Sequence, residues 1–162
     1  MQGRIAASGI VAGIAVCGIG LSADDKQVPY PEGYRGWHHV SSMVIEAGHP
    51  LYASFGGLHH LYANDKALKG YASGKFPDGS IIVFDLHEAA AADHGITAGK
   101  RKVLGVMLKD AQKFAATGGW GFEGFKGDSK TERAVGADAA TACFGCHTAQ
   151  KNSDFVFSRY RE

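Results

Sequence analysis

Ser80-Ile81-Ile82-Val83-Phe84-Asp85-Leu86 is the clearest strand in the chain, and its reading decides the fold. It follows Pro77-Asp78-Gly79, a turn in which proline pre-sets one φ and glycine tolerates another of positive sign. Alternation puts Ile82, Phe84 and Leu86 on one face and Asp85 with His87 on the other. Working outward, the same period recurs. Trp37 to Ile45 predicts a strand with Trp37, His39, Ser41, Met43 and Ile45 on one face. Leu58 to Ala63 is a second short strand, Val103 to Leu108 another, and Trp120 to Phe125 a glycine-spaced aromatic one. Helices are few and short. Asn64 caps one that runs through Leu68 and Tyr71 to Gly74, Asp110 caps a second that ends at Gly118, and a third runs from Asp138 to about Gln150. Asp154 to Tyr160 leaves it extended. The fold class is α+β and mainly β: an antiparallel sheet with short helices and a C-terminal helix, lacking the long amphipathic helices of a four-helix bundle.

That C-terminal helix carries Cys143-Phe144-Gly145-Cys146-His147, the C-x-x-C-H spacing of covalent haem c attachment. On one helical turn, cysteines three apart face the same way, so both thiolates reach the vinyl groups of one macrocycle while the next residue turns its imidazole toward the iron. The rival readings are a thiol-redox C-x-x-C and half of a zinc site. The first belongs near the start of a βαβ unit, and the second needs further Cys or His close by at ligand spacing. Neither context is present in the sequence.

The amino end has the layout of an export signal over residues 1–23: Arg4, an apolar run from Ile5 to Leu21, then Ser22-Ala23 before Asp24-Asp25. A retained membrane anchor is the alternative, although the run is glycine-rich and short for one. Cys17 lies within this segment, where Val16 before it is bulky for a lipid-acceptor cysteine. Of the 17 basic and 16 acidic residues, only Arg4 falls in residues 1–23, which leaves 16 of each in residues 24–162. That near-neutral balance offers no basic stripe for nucleic acid. Residues 24–162 suffice for one domain with an adequate core.

A haem motif at the end of a mostly β chain is an uncommon combination. With PEGYRGW from Pro31, FPDGSIIVFDL from Phe76, KDAQKFAATGGWGFEGF from Lys109 and CFGCHTAQKNSDFVFSRY from Cys143, the chain from about Pro31 to Tyr160 resembles the cytochrome P-460 family, including its relatives the cytochromes c′-beta. The resemblance implies an exported, homodimeric β-sheet protein with one covalent haem c, whose single protein ligand to iron is the motif histidine, His147. Within the family, hydroxylamine-oxidising cytochromes P-460 carry a lysine on the strand after the DG turn that cross-links to the macrocycle. Phe84 stands at that place here, and Lys75 lies beyond the turn on another element. In cytochromes c′-beta the matching place is a phenylalanine that caps the distal face with a second one, to which Phe55 corresponds.

The resemblance therefore implies a periplasmic gas-binding haem protein with five-coordinate iron and an apolar pocket closed by Phe84 and Phe55. NO or CO would be its ligand for scavenging, sensing or transport, and a redox partner protein its possible companion. A hydroxylamine-oxidising enzyme is one alternative. A six-coordinate electron-transfer cytochrome is the other, and it needs a sixth ligand from His38, His39, His49, His59, His60, His87, His94, Met43 or Met107. Each of these more often serves as an ordinary surface or core residue. Lys151 reads as a solvated lysine, Phe155 and Phe157 as packing on the core or haem edge, and Asp85, Glu123 and Asp128 as ordinary surface carboxylates.

Overall fold

In a computed structural model that describes residues 27–138 and 140–161, five strands form one antiparallel sheet. They are β1 (His38–Ile45), β2 (Gly57–Ala63), β3 (Ile81–Ala92), β4 (Gly95–Lys109) and β5 (Trp120–Lys126), and their spatial order is their order in the chain. The expected signal, residues 1–23, lies outside the described residues. Among the described residues no helix is long and apolar enough to cross a membrane.

Local chemistry explains the connections. A short α1 (Tyr52–Phe55) precedes β2, and α2 (Asp65–Ser73) follows it. The Asn64 side chain accepts from the Ala67 amide at the start of α2, and Gly74 ends it at φ 74, both at the positions expected from the sequence. Asn64 Oδ1 also accepts from the Ile81 amide, which ties the helix start to the head of β3. After β4, Asp110 caps turns and a single 3-10 turn (Ala115–Thr117) in place of the expected helix.

The register carries each face across the sheet. Met43, His59, Leu86 and Val103 make one row; Leu61, Phe84, Gly105 and Gly124 the next; Ala63, Ile82, Met107 and Phe122 the third. This first face is closed at one end by α2, Phe76, Val156 and the C-terminal segment around a core that includes Val40 and the fully buried Trp120. The opposite face packs Val83, Leu104, Val106 and Phe125 beneath Val28 and Tyr34 of the amino-terminal segment.

Three expectations are corrected. A bulge at Val40 breaks the alternation of β1: His39 pairs with Tyr62 and Ser41 with Leu61, so Trp37 and His39 do not share a face with Ser41, Met43 and Ile45. The strands β3 and β4 run on past Leu86 and Val103 as a hairpin, turning at Asp93 and His94, both at positive φ. The Asp154 to Tyr160 segment begins with two left-handed residues rather than an extended run.

Candidate functional site

The motif residues lie on a helical segment built of three short pieces: a π turn (Ala140–Phe144), one α turn termed α3 (Gly145–His147) and a 3-10 stretch (Thr148–Ser153). Cys143 is half-buried against the first core and Cys146 is exposed; both are free thiols. Burial foremost, then Glu123 and Cys146, pushes the Cys143 thiol up. A redox-active C-x-x-C has the opposite bias toward thiolate, so this environment speaks against that rival.

His147 is held on three sides. Its ring packs 5.0 Å from Phe122 of β5 and 5.1 Å from Phe157. Its Nδ1 lies 2.7 Å from the Phe155 carbonyl oxygen. A carbonyl only accepts, so Nδ1 carries the proton and the lone pair sits on Nε2. Burial lowers the imidazole below its ordinary 6.5 against the opposing pull of the Phe155 carbonyl. The outcome is a neutral imidazole with Nε2 ready as a donor.

Phe84 and Phe55 come together on the same face. Their rings meet edge to face, with centroids 5.8 Å apart and planes at 85°. Gly57 makes this possible: at φ 132 it turns the chain from α1 into β2, and a Cβ there would collide with the His87 carbonyl oxygen. Beside Phe84 the sheet is bare at Gly105, where a Cβ would stand 3.4 Å from that of Phe84; Gly124 follows in the same row but is covered by Ala134 and Val135. Phe84 and Phe122 are two strands and one pleat apart, roughly 12 Å between Cα atoms from strand spacing and rise. No lysine occurs in β3, and Lys75 is exposed after α2.

One neighbour of this pair was expected only as a ligand candidate. The ring of His59 lies 4.6 Å from that of Phe84; the residue is 7% exposed, and its Nδ1 has no hydrogen-bond partner among the described residues. Burial, then His60, lowers its pKa below 6.5, so it is neutral. The face carrying Phe84 is therefore backed by an imidazole and is not wholly apolar.

The remaining candidates separate by face. His60 and His87 lie opposite Phe84, and His39 joins them through Ser42, whose hydroxyl is 2.8 Å from His39 Nε2 and 2.6 Å from His60 Nδ1. His38 is taken by Asp65, and His49 accepts from the Leu51 amide. His94 sits in the distant hairpin turn. Met43 and Met107 share the face of Phe84, Met43 largely exposed and Met107 half-buried. Lys151 is exposed, as expected.

Two of the three carboxylates are not surface groups. Asp85 is 1% exposed and receives Tyr34 Oη at 2.6 Å and Arg101 Nε at 2.7 Å, with His87 Nε2 2.9 Å from its Oδ1. Burial alone would raise its carboxyl, but the hydrogen bonds from Arg101 and Tyr34 hold it low. Glu123, also buried, accepts from the Gly124, Val135 and Gly136 amides and from Arg133, fastening the loop that leads into the helical segment. Asp128 is exposed and pairs with Arg101. All three have structural partners.

The family model described as Cytochrome P460 matches residues 31–158. No curated protein matches the chain.

Proposed function

Because the chain belongs to the cytochrome P460 family, and so among haem proteins, we propose that it is a c-type, c′-beta-like member that binds NO and CO. The residues fit such a group: two free thiols three apart, a neutral imidazole with Nε2 available, and a sheet face left bare at Gly105 beside the Phe84–Phe55 pair. Haem supplies a redox-active iron that takes diatomic gases. Cys143 and Cys146 would hold it through thioethers, each S–H adding across one vinyl double bond. His147 would direct Nε2 at the iron from one side. Phe84 and Phe55 would close the other side, excluding water and anions while admitting small neutral gases.

The observation that carries this reading is the edge-to-face Phe84–Phe55 pair on a strand without lysine; by the resemblance, Phe84 takes the place of the cross-linking lysine of the hydroxylamine-oxidising members. Phenylalanine has no amine with which to form that bond. The working setting is the periplasm, reached through residues 1–23, with a homodimer and a redox partner as companions in NO scavenging, sensing or transport. A second reading has one specific support: the unpartnered Nδ1 of His59 makes that residue the best placed sixth ligand for an electron-transfer cytochrome.

Flash photolysis of the ferrous CO complex tests the cap. Removing most of the Phe84 side chain in Phe84→Ala should speed CO association about tenfold, equivalent to about 1.4 kcal/mol of barrier. The parent should be high-spin and five-coordinate when reduced, and its denatured pyridine complex should show an ordinary c-type spectrum. Unchanged rates in folded Phe84→Ala and Phe55→Ala, or a low-spin ferrous parent that His59→Leu converts to high-spin, would replace the gas-binding reading with the electron-transfer one.

A further inference from the structure

Asp154 and Phe155 occupy consecutive left-handed conformations, φ 50 and 65, although neither is glycine. Non-glycine residues stay in that region only when their surroundings over-determine them. Here the neighbouring side chains supply that constraint. Asp154 is 7% exposed; its Oδ1 receives Lys109 Nζ at 2.8 Å and its Oδ2 the Phe76 amide at 2.9 Å. Its carbonyl accepts from the indole of Trp120 at 2.8 Å, and the Phe155 amide donates to Gln150 at 2.8 Å. Lys109 also reaches the Gly118 carbonyl and lies 5.0 Å over the Trp120 ring. The Phe155 ring lies flush on Gly118, where any Cβ would strike it.

All of this fixes one group, the Phe155 carbonyl that accepts from His147 Nδ1. We propose that Asp154, clamped by Lys109, Trp120 and Phe76, is a positioning residue that aims the Phe155 carbonyl at His147 and thereby sets the donor strength of its Nε2. A hydrogen bond accepted from the far nitrogen makes the near nitrogen more basic, and a more basic axial ligand stabilises ferric over ferrous iron. Strand β4, strand β5 and the loop after α2 thus converge on a ligand that none of them carries. The inference rests on His147 being the iron ligand and adds how that ligand is tuned.

The test uses the haem-loaded protein, resonance Raman of its ferrous form for the iron–histidine stretch, and redox titration, with thermal melts alongside. Asp154→Asn keeps the shape and removes the charge that Lys109 holds. It should lower the stretching frequency and raise the midpoint potential, changing the ferric-to-ferrous ratio at fixed potential about tenfold, or about 59 mV for one electron. Trp120→Phe keeps a buried aromatic ring but removes the indole donor, and should move both readouts the same way by less. If Asp154→Asn does not fold, Trp120→Phe decides in the same terms. Variants that melt lower but keep the parental stretch and potential would overturn the inference and leave Asp154 a purely structural anchor. A parent without any iron–histidine band would overturn the ligand assignment and this inference with it.

Discussion

The two sides of the first sheet face are built to different tolerances. Around His147, the ring is held by Phe122, Phe157 and the Phe155 carbonyl, and the turn behind it is fastened by Asp154, Lys109, Trp120 and Phe76. Around Phe84, the partners are the rings of Phe55 and His59; Phe55 is 39% exposed, and His59 Nδ1 has no hydrogen-bond partner among the described residues. One side is a network of directional bonds, the other a set of ring contacts with no fixed partner. Ring contacts can slide at small cost, while a buried charge pair resists displacement because separating it strands both charges. The contrast matches a division of labour in which one side holds and the other yields.

The strongest way to break this comparison is to cut the holding side. With Cys143→Ala and Cys146→Ala together, haem should leave the chain completely under denaturing electrophoresis, whereas the parent retains it. Haem lost from the parent would remove covalent attachment, and haem retained by the double variant would place it elsewhere.

Side-chain truncation gives a smaller, graded version. Trp120→Ala deletes a fully buried ring and the donor to Asp154, and should cost about 3–5 kcal/mol in denaturant unfolding. Phe55→Ala, at a partly exposed position, should cost only about 1 kcal/mol, within the usual range for single substitutions. Equal costs would erase the distinction between the two sides.

The smallest effect is in pH. His59 is held neutral by burial, so its folded pKa lies below the ordinary 6.5. Between that depressed value and 6.5 the unfolded chain binds more protons than the folded one, so stability rises with pH across this window and levels off above it. Urea unfolding from pH 5 to 7.5 should show a loss on the acid side that His59→Leu reduces. An identical acid-side loss in that variant would exclude His59 as a source.

Much of the strand layout could be read from single segments because its causes are local. The cap at Asn64, the stop at Gly74 and the alternation of Ile82, Phe84 and Leu86 all lie within a few residues of what they determine. The Glu88 to Lys100 hairpin stayed hidden because alanine is a poor strand former and its turn, Asp93-His94, has no glycine. At Val40 a single extra residue reverses the faces of β1, and nothing in the composition around it marks the place. For the candidate site, the motif pointed to Cys143, Cys146 and His147, and the resemblance singled out Phe55 and Phe84, whose rings the fold brings into contact. The left-handed pair at Asp154 and Phe155 was invisible because its causes, Phe76, Lys109 and Trp120, are scattered along the preceding chain. The buried roles of Asp85 and Glu123 were missed for the same reason, since Tyr34, Arg101 and Arg133 reach them from other segments.

A sheet whose strands lie in chain order is made of neighbouring hairpins, so its contacts are mostly close in sequence. The helical segment does not share that economy. Phe76, Lys109 and Trp120 all precede Asp154, so its turn has no support until α2, β4 and β5 are in place. In a chain synthesised from its amino end, the docking of this last segment is thus the late, long-range step of folding. Until it occurs, the Cys143 and Cys146 thiols and the His147 imidazole belong to a segment that has not yet docked.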